Sequence, residues 1–114
     1  MLRAAVDEVV VLVTVGSEEE GAAIARSVVS SKLAACVNML PAIRSFYWWE
    51  DNVQDDAELL LIIKSRQPAL AALFEAIQAI HSYDVPEFIT LPVEEGSQRY
   101  LDWVRKSVPL VEGT

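Results

Sequence analysis

The segment "SFYWWED", residues 45–51, sets Phe46, Tyr47, Trp48 and Trp49 in an unbroken row. Successive side chains of an extended strand point to opposite faces, so Phe46 and Trp48 take one side, Tyr47 and Trp49 the other. An antiparallel sheet in a soluble domain commonly leaves one face to water. A strand that is aromatic on both faces needs cover on both. Composition adds to that demand, because 53% of the 114 residues are hydrophobic, which is rich for a compact domain. A chain of this length makes one domain, 1–114, with a short lead (1–7) and tail (109–114), and so small a domain has little interior to spare. Single soluble proteins seldom expose large apolar patches. The excess points to a subunit interface anchored by Phe46, Tyr47, Trp48, Trp49 and, further along, Trp103.

The rest of the chain supplies a frame for that ribbon. Residues 8–16, "EVVVLVTVG", are apolar on both faces, as in a central strand. Ser17 with Glu20 three residues later is a capping-box pattern. The acidic run 18–20 suits the positive end of a helix dipole better than a metal cluster. The first helix then buries Ile24, Val28 and Leu33, backed by Ala25 and Val29. Two long extended segments follow, 35–50 and 52–65, the first interrupted by Pro41, which belongs at a bend or bulge. Asp51 and Asn52 provide turn chemistry between them. A second helix begins near Pro68, with Leu70, Leu73, Phe74, Ile77 and Ile80 along one face, and stops around His81 and Ser82. A short strand at 87–93 and a third helix from Ser97 complete the order, with Tyr100, Leu101 and Val104 inward and Trp103 off that stripe.

The order β-α-β, β-α-β, helix predicts an α+β split sandwich, in which four antiparallel strands carry two helices on one face. The other face, equally apolar, is left for a second copy of the chain. An obligate homo-oligomer follows from burial alone.

Charge narrows the partners. Nine basic residues against 17 acidic ones give a formal net charge of −8. Nucleic acid needs a dense basic footprint, and anionic membranes attract one as well, so neither is expected. No apolar run approaches the ~20 residues that span a bilayer. The run at 9–15 imitates a signal-peptide core, but Asp7 and Glu8 precede it, β-branched residues dominate and no small-x-small cleavage site follows. It reads as a strand. The single cysteine, Cys36, excludes an intrachain disulfide framework and suits a reducing compartment, so a cytoplasmic protein is expected.

No catalytic motif stands out. The four glycines are not spaced to cradle a phosphate, and G-x-S-x-G, C-x-x-C and H-x-x-H are absent. An enzyme is not expected. Any site must be assembled from residues far apart in the chain or from several chains. Cys36, in "AACVN", is either a small core residue or a soft ligand for copper. His81, the only histidine, either complements the negative end of the second helix or serves as a metal ligand or acid-base group. It opens "HSYDVPEF", a polar and aromatic loop in which Tyr83, Asp84 and Glu87 offer hydrogen-bonding groups or hard ligands. Lys64 is either the solvated end of its strand or an anion-binding group beside His81. The tryptophans suit interface anchoring better than ligand stacking.

The blocks "KLAACVNMLPAIRSFYWWED", "ELLLIIKSR", "HSYDVPEFITLPV" and "YLDWVR" resemble, in order and from about residue 9 to 108, the CutA divalent-cation tolerance proteins. The resemblance implies a ferredoxin-like fold related to the PII signalling proteins, with a long ribbon of the second and third main strands. It also implies a homotrimer whose sheets face inward, a cytoplasmic location, and binding of copper or another divalent cation in metal tolerance. It suggests His81, Cys36 and Glu87 as metal donors. Its non-metal alternative is a PII-like small-ligand module or scaffold, with a cleft near Lys64, His81, Tyr83 and Glu87. Two positions that hold ligands in a bacterial relative are Val13 and Ile80 here, leaving His81 as the only imidazole. A specific site wants three or four donors.

Overall fold

The computed structural model describes residues 1–110. In chain order the elements are β1 (Leu2–Ala4), β2 (Glu8–Val15), α1 (Glu18–Ser30), β3 (Cys36–Trp49), β4 (Asn52–Arg66), a 3-10 turn (Gln67–Ala69), α2 (Leu70–Ile80), β5 (Ile89–Pro92), β6 (Glu95–Ser97) and α3 (Gln98–Ser107). Four strands form an antiparallel sheet in the order β3-β4-β2-β5. The fold is the expected ferredoxin-like α+β sandwich with an added C-terminal helix.

Alternation along the strands decides which side each residue serves. Val11, Val13 and Val15 of β2, with Leu61 and Ile63 of β4, face the helices and are fully buried against Ile24, Val28, Leu73 and Ile77. The register puts Val10 opposite Lys64 and Leu91, Leu12 opposite Ile62 and Ile89, and Thr14 opposite Leu60 on the other face. There Val10, Leu12, Leu60 and Ile62 stay half-buried, while Leu40, Ile89 and Leu91 are exposed. The ribbon runs past the helices, and Phe46, Tyr47, Trp48 and Trp49 keep 42–74% of their surface exposed in the single chain.

Several local expectations are corrected. Residues 1–7 contain a strand, because β1 pairs antiparallel with β6 from Leu2↔Ser97 to Ala4↔Glu95. Only half of the capping box forms: Ser17 Oγ accepts from the Glu20 N–H at 3.2 Å, but the Glu20 carboxylate reaches to the Ser82 N–H at 3.3 Å. Val29, Ile80 and Tyr100 are exposed where burial was expected; in α3 the buried residues are Leu101 and Val104. Residues 111–114 of the expected tail lie outside the described residues.

The ribbon has two backbone irregularities. Pro41 marks a register shift between Leu40 and Ile43, as expected, with Ala42 at φ 59°. At the tip, Trp49 faces Asn52, so the turn is Glu50–Asp51 (φ 50° and 63°) rather than Asp51–Asn52. Two consecutive left-handed residues define a type I′ turn, which Asn-Gly fits best. The double change Glu50→Asn, Asp51→Gly is therefore expected to raise stability by about 1 kcal/mol in denaturant titration.

Candidate functional site

The loop that follows α2 is pinned by His81. Its backbone N–H caps α2 at Ile77 O (2.8 Å), and its ring is fully buried. Nε2–H donates to Thr14 O at 2.8 Å, while Nδ1 accepts from the Tyr83 N–H at 3.0 Å. These two bonds select the neutral tautomer that carries its proton on Nε2, and they engage both ring nitrogens. Glu20 Oε1 lies 3.5 Å from Nδ1, buried and without a hydrogen-bond partner.

Tyr83 carries the loop across to the sheet. Its hydroxyl donates to Glu58 Oε2 at 2.8 Å, and its ring leans on His81 with centroids 4.7 Å apart. A Cβ at Gly16 would stand 3.2 Å from that hydroxyl oxygen, so the absence of a side chain lets the phenol pass. Burial and the Glu58 bond hold the Tyr83 hydroxyl protonated well above the usual phenol range. Glu58 alternates with Leu60 and Ile62 along β4, which places it on the open sheet face at the base of the ribbon.

Loop, sheet and ribbon enclose a cleft of about 690 Å³. Its floor is Thr14, Ser45 and Glu58, its ribbon wall Phe46, Tyr47 and Trp49, and its loop wall residues 83–87. Glu58, Asp84 and Glu87 bring three carboxylates, and among the described residues no lysine, arginine or histidine lines the cleft. Burial and the charge of Glu58 push the Glu87 carboxyl above its usual range. At the wall, the Tyr47 hydroxyl donates to the Asp56 carboxylate.

The other expected site residues lie elsewhere. Cys36 pairs with Lys64 across β3 and β4, at the opposite end of the open face from Thr14 and Leu60. The Lys64 ammonium donates to Asn38 Oδ1, to which the Cys36 thiol also points at 3.7 Å. Burial and contact with Cys36 raise the Tyr100 phenol. Trp103 is exposed beside Tyr100, with ring centroids 5.5 Å apart. The structure therefore joins His81, Tyr83 and Glu87 in one loop but brings neither Cys36 nor Lys64 to it. Sequence reasoning missed Glu58. Its signal was an acidic residue directly ahead of five aliphatics, in phase with the open face of the strand.

Residues 9–107 match the family model described as CutA1 divalent ion tolerance protein. The chain belongs to the CutA1 family. It is 54% identical over 102 residues to "Protein CutA 1, chloroplastic" of Oryza sativa, covering 90% of this chain and 58% of that protein. With the divalent-cation tolerance protein CutA of Thermus thermophilus, identity is 47% over 100 residues, covering 88% and 97%. The crystal structure of CutA1 from Oryza sativa superposes with a TM-score of 0.89 at 52% identity, covering 92% of this chain and 96% of that one. This chain spans only 58% and 56% of the two plant relatives, from Oryza sativa and Arabidopsis thaliana.

Family membership raises the question of a metal, and the donors answer it in part. A soft copper centre from Cys36, His81 and Glu87 does not fit one chain. Cys36 lies at the far end of the sheet, and both His81 nitrogens are engaged. Val13 is buried under the helices, and Ile80 is an exposed isoleucine at the end of α2. Among the described residues no group of three or more His, Cys, Asp or Glu side chains is placed to hold a metal ion. The Glu58–Glu87 pair does suit a hard cation that takes one or two carboxylates and keeps its remaining waters.

Proposed function

We propose that this protein is a non-enzymatic homotrimer that binds divalent cations in metal tolerance, with Glu58 and Glu87 of the acidic cleft as the donors. The observation that carries the reading is the convergence of Glu58, Asp84 and Glu87 on one cleft. Glu58 and Glu87 repel one another in a cleft with no basic side chain, and a divalent cation relieves that repulsion. Copper(II) is one such cation, bound here through oxygen rather than through Cys36 or His81. The trimer is supported by the open apolar sheet face, the aromatic ribbon and the exposed Trp103 on α3. A reducing cytoplasm suits the free Cys36, although two plant relatives are named chloroplastic and a CutA structure from Archaeoglobus fulgidus is titled periplasmic. The PII-like alternative loses Lys64 from its cleft within one chain.

Chelator-stripped protein titrated with Mn²⁺, Zn²⁺ and Cu²⁺ tests this. Glu87→Gln and Glu58→Gln are each expected to weaken binding by roughly tenfold or more. His81→Ala should lower the melting temperature while leaving the affinity of stably folded protein within about twofold, since no ligand is lost. Unchanged affinity in both glutamine variants rejects the site. A complete loss of copper binding in folded His81→Ala restores the imidazole as a ligand.

A further inference from the structure

The cleft is larger and greasier than a metal ion requires. A hydrated cation with six waters occupies roughly 200 Å³, at about 30 Å³ per water. The cleft holds about 690 Å³, within the range of pockets that enclose small organic molecules. Tyr47, Trp49 and Tyr83 supply aromatic surface around that space. Its charge has one sign. Arg44, which lies over Phe46 at 5.2 Å from the ring centroid, does not line the cleft and is held by Asp55 through two hydrogen bonds of 2.8 and 2.7 Å.

Glu58 gives the second pointer. The residue is only 8% exposed, and Oε2 is taken by the Tyr83 hydroxyl. Among the described residues no protein group donates to Oε1 of this cleft-lining carboxylate. Without a protein donor and not sealed from solvent, Oε1 stands open as an acceptor that suits a positive partner. Aromatic faces attract cations too, and they favour a cation that sheds its water easily, such as a substituted ammonium, over a strongly hydrated metal ion.

We infer that the cleft binds an organic monocation, an ammonium bearing an apolar or aryl group, with the charge at Glu58 and the apolar part against the ribbon. The inference rests on the reading of the cleft as a cation site and names a second class of occupant. The cleft opens along the sheet face assigned to assembly, so neighbouring copies border it, and the test uses the intact oligomer.

Benzyltrimethylammonium is titrated into the protein by calorimetry and tryptophan fluorescence, with benzyl alcohol and benzoate as neutral and anionic controls. The ammonium is expected to bind at least about tenfold more tightly than benzyl alcohol, and benzoate not at all. Glu58→Gln keeps an acceptor for Tyr83 and should retain the fold, yet weaken the ammonium by about tenfold and leave benzyl alcohol unchanged. Asp84→Asn, on the exposed loop, provides a second charge removal that does not threaten folding and should weaken the ammonium in the same direction. Equal binding of alcohol and ammonium, no binding of the ammonium, or indifference to both charge removals overturns the inference.

Competition with Mn²⁺ separates the two readings. Mutual displacement supports both. Binding of Mn²⁺ without the ammonium rejects this inference alone. Binding of the ammonium with no Mn²⁺ bound rejects the divalent-cation reading and leaves this one standing.

Discussion

Arg66→Met is expected to lower the unfolding free energy by about 3 kcal/mol, one of the two largest effects anticipated from a single substitution. Arg66 ends β4 with only 4% of its surface exposed. Its Nε and Nη2 donate to the two Asp7 oxygens at 2.9 and 2.8 Å, and Nη1 donates to Val108 O at 2.9 Å. One guanidinium thus joins the bend between β1 and β2 to the end of β4 and to the residue after α3. Arg105, 3.2 Å from Asp7, compensates only in part. The same cluster sets the acid limit of the protein. The Arg66 hydrogen bonds hold Asp7 below its usual carboxylate range. Burial works to raise Glu8, but the Val6 and Asp7 backbone N–H groups and Arg3 outweigh it and hold Glu8 at about 2. Both folded values are depressed. Their stabilisation is therefore complete above the ordinary carboxylate value near 4 and is lost as pH falls toward about 2. In Arg66→Met the Asp7 value rises, so acid unfolding followed by circular dichroism should begin at higher pH than in the parent. Coincident acid transitions and a stability loss below about 1 kcal/mol would remove Arg66 from that role.

The fold could be read from the sequence wherever one pattern served one purpose. Residues of β2 are apolar in both phases because helices cover one face and the other is the face proposed for assembly, and Pro41 fell at the register shift because it cannot donate to the ladder. Reading failed where one residue had two possible partners. Glu20 has the right spacing for a capping box, but tertiary contact turned its carboxylate toward Ser82 and His81. Tyr100 and Ile80 continue apolar helical stripes, yet both are exposed: Ile80 is the last residue of α2, and Tyr100 lies beside the inward pair Leu101 and Val104. The turn shifted by one residue because pairing Trp49 with Asn52 extends the ladder, and that gain outweighs the left-handed strain at Glu50. The loop side of the cleft was legible through Tyr83 and Glu87. The Glu58 side was not, because it becomes visible only when β4 is registered against β2 and the loop folds back over both. His81 shows the same limit: its place at the end of α2 left a helix-end cation and a ligand equally open, and only the bonds to Thr14 and Tyr83 reveal that its nitrogens are spoken for.

Ile62→Asp is expected to dissociate the proposed trimer while leaving the single chain folded. Ile62 sits mid-sheet, paired with Leu12 and Asn38, on the face where Val10, Leu60 and Ile89 also await cover. In an isolated chain this position is half-exposed, so aspartate there costs about 1 kcal/mol through its poor fit to a strand. In an assembly with the sheets facing inward, each copy instead buries a carboxylate, and the Lys64 ammonium on the same face is already engaged by Asn38 Oδ1, so it compensates only in part. The effective penalty is then several kcal/mol per ion, and symmetry applies it in every subunit. The helix-facing core, from Val11 to Ile77, is untouched by the change. Sedimentation at micromolar concentration should therefore show a trimer for the parent and monomers with native-like circular dichroism for the variant. The variant's melting temperature should also become insensitive to dilution, because no association remains to stabilise it. A variant that sediments and melts as the parent does would reject the sheet face as the assembly surface and leave the aromatic ribbon alone to account for any oligomer.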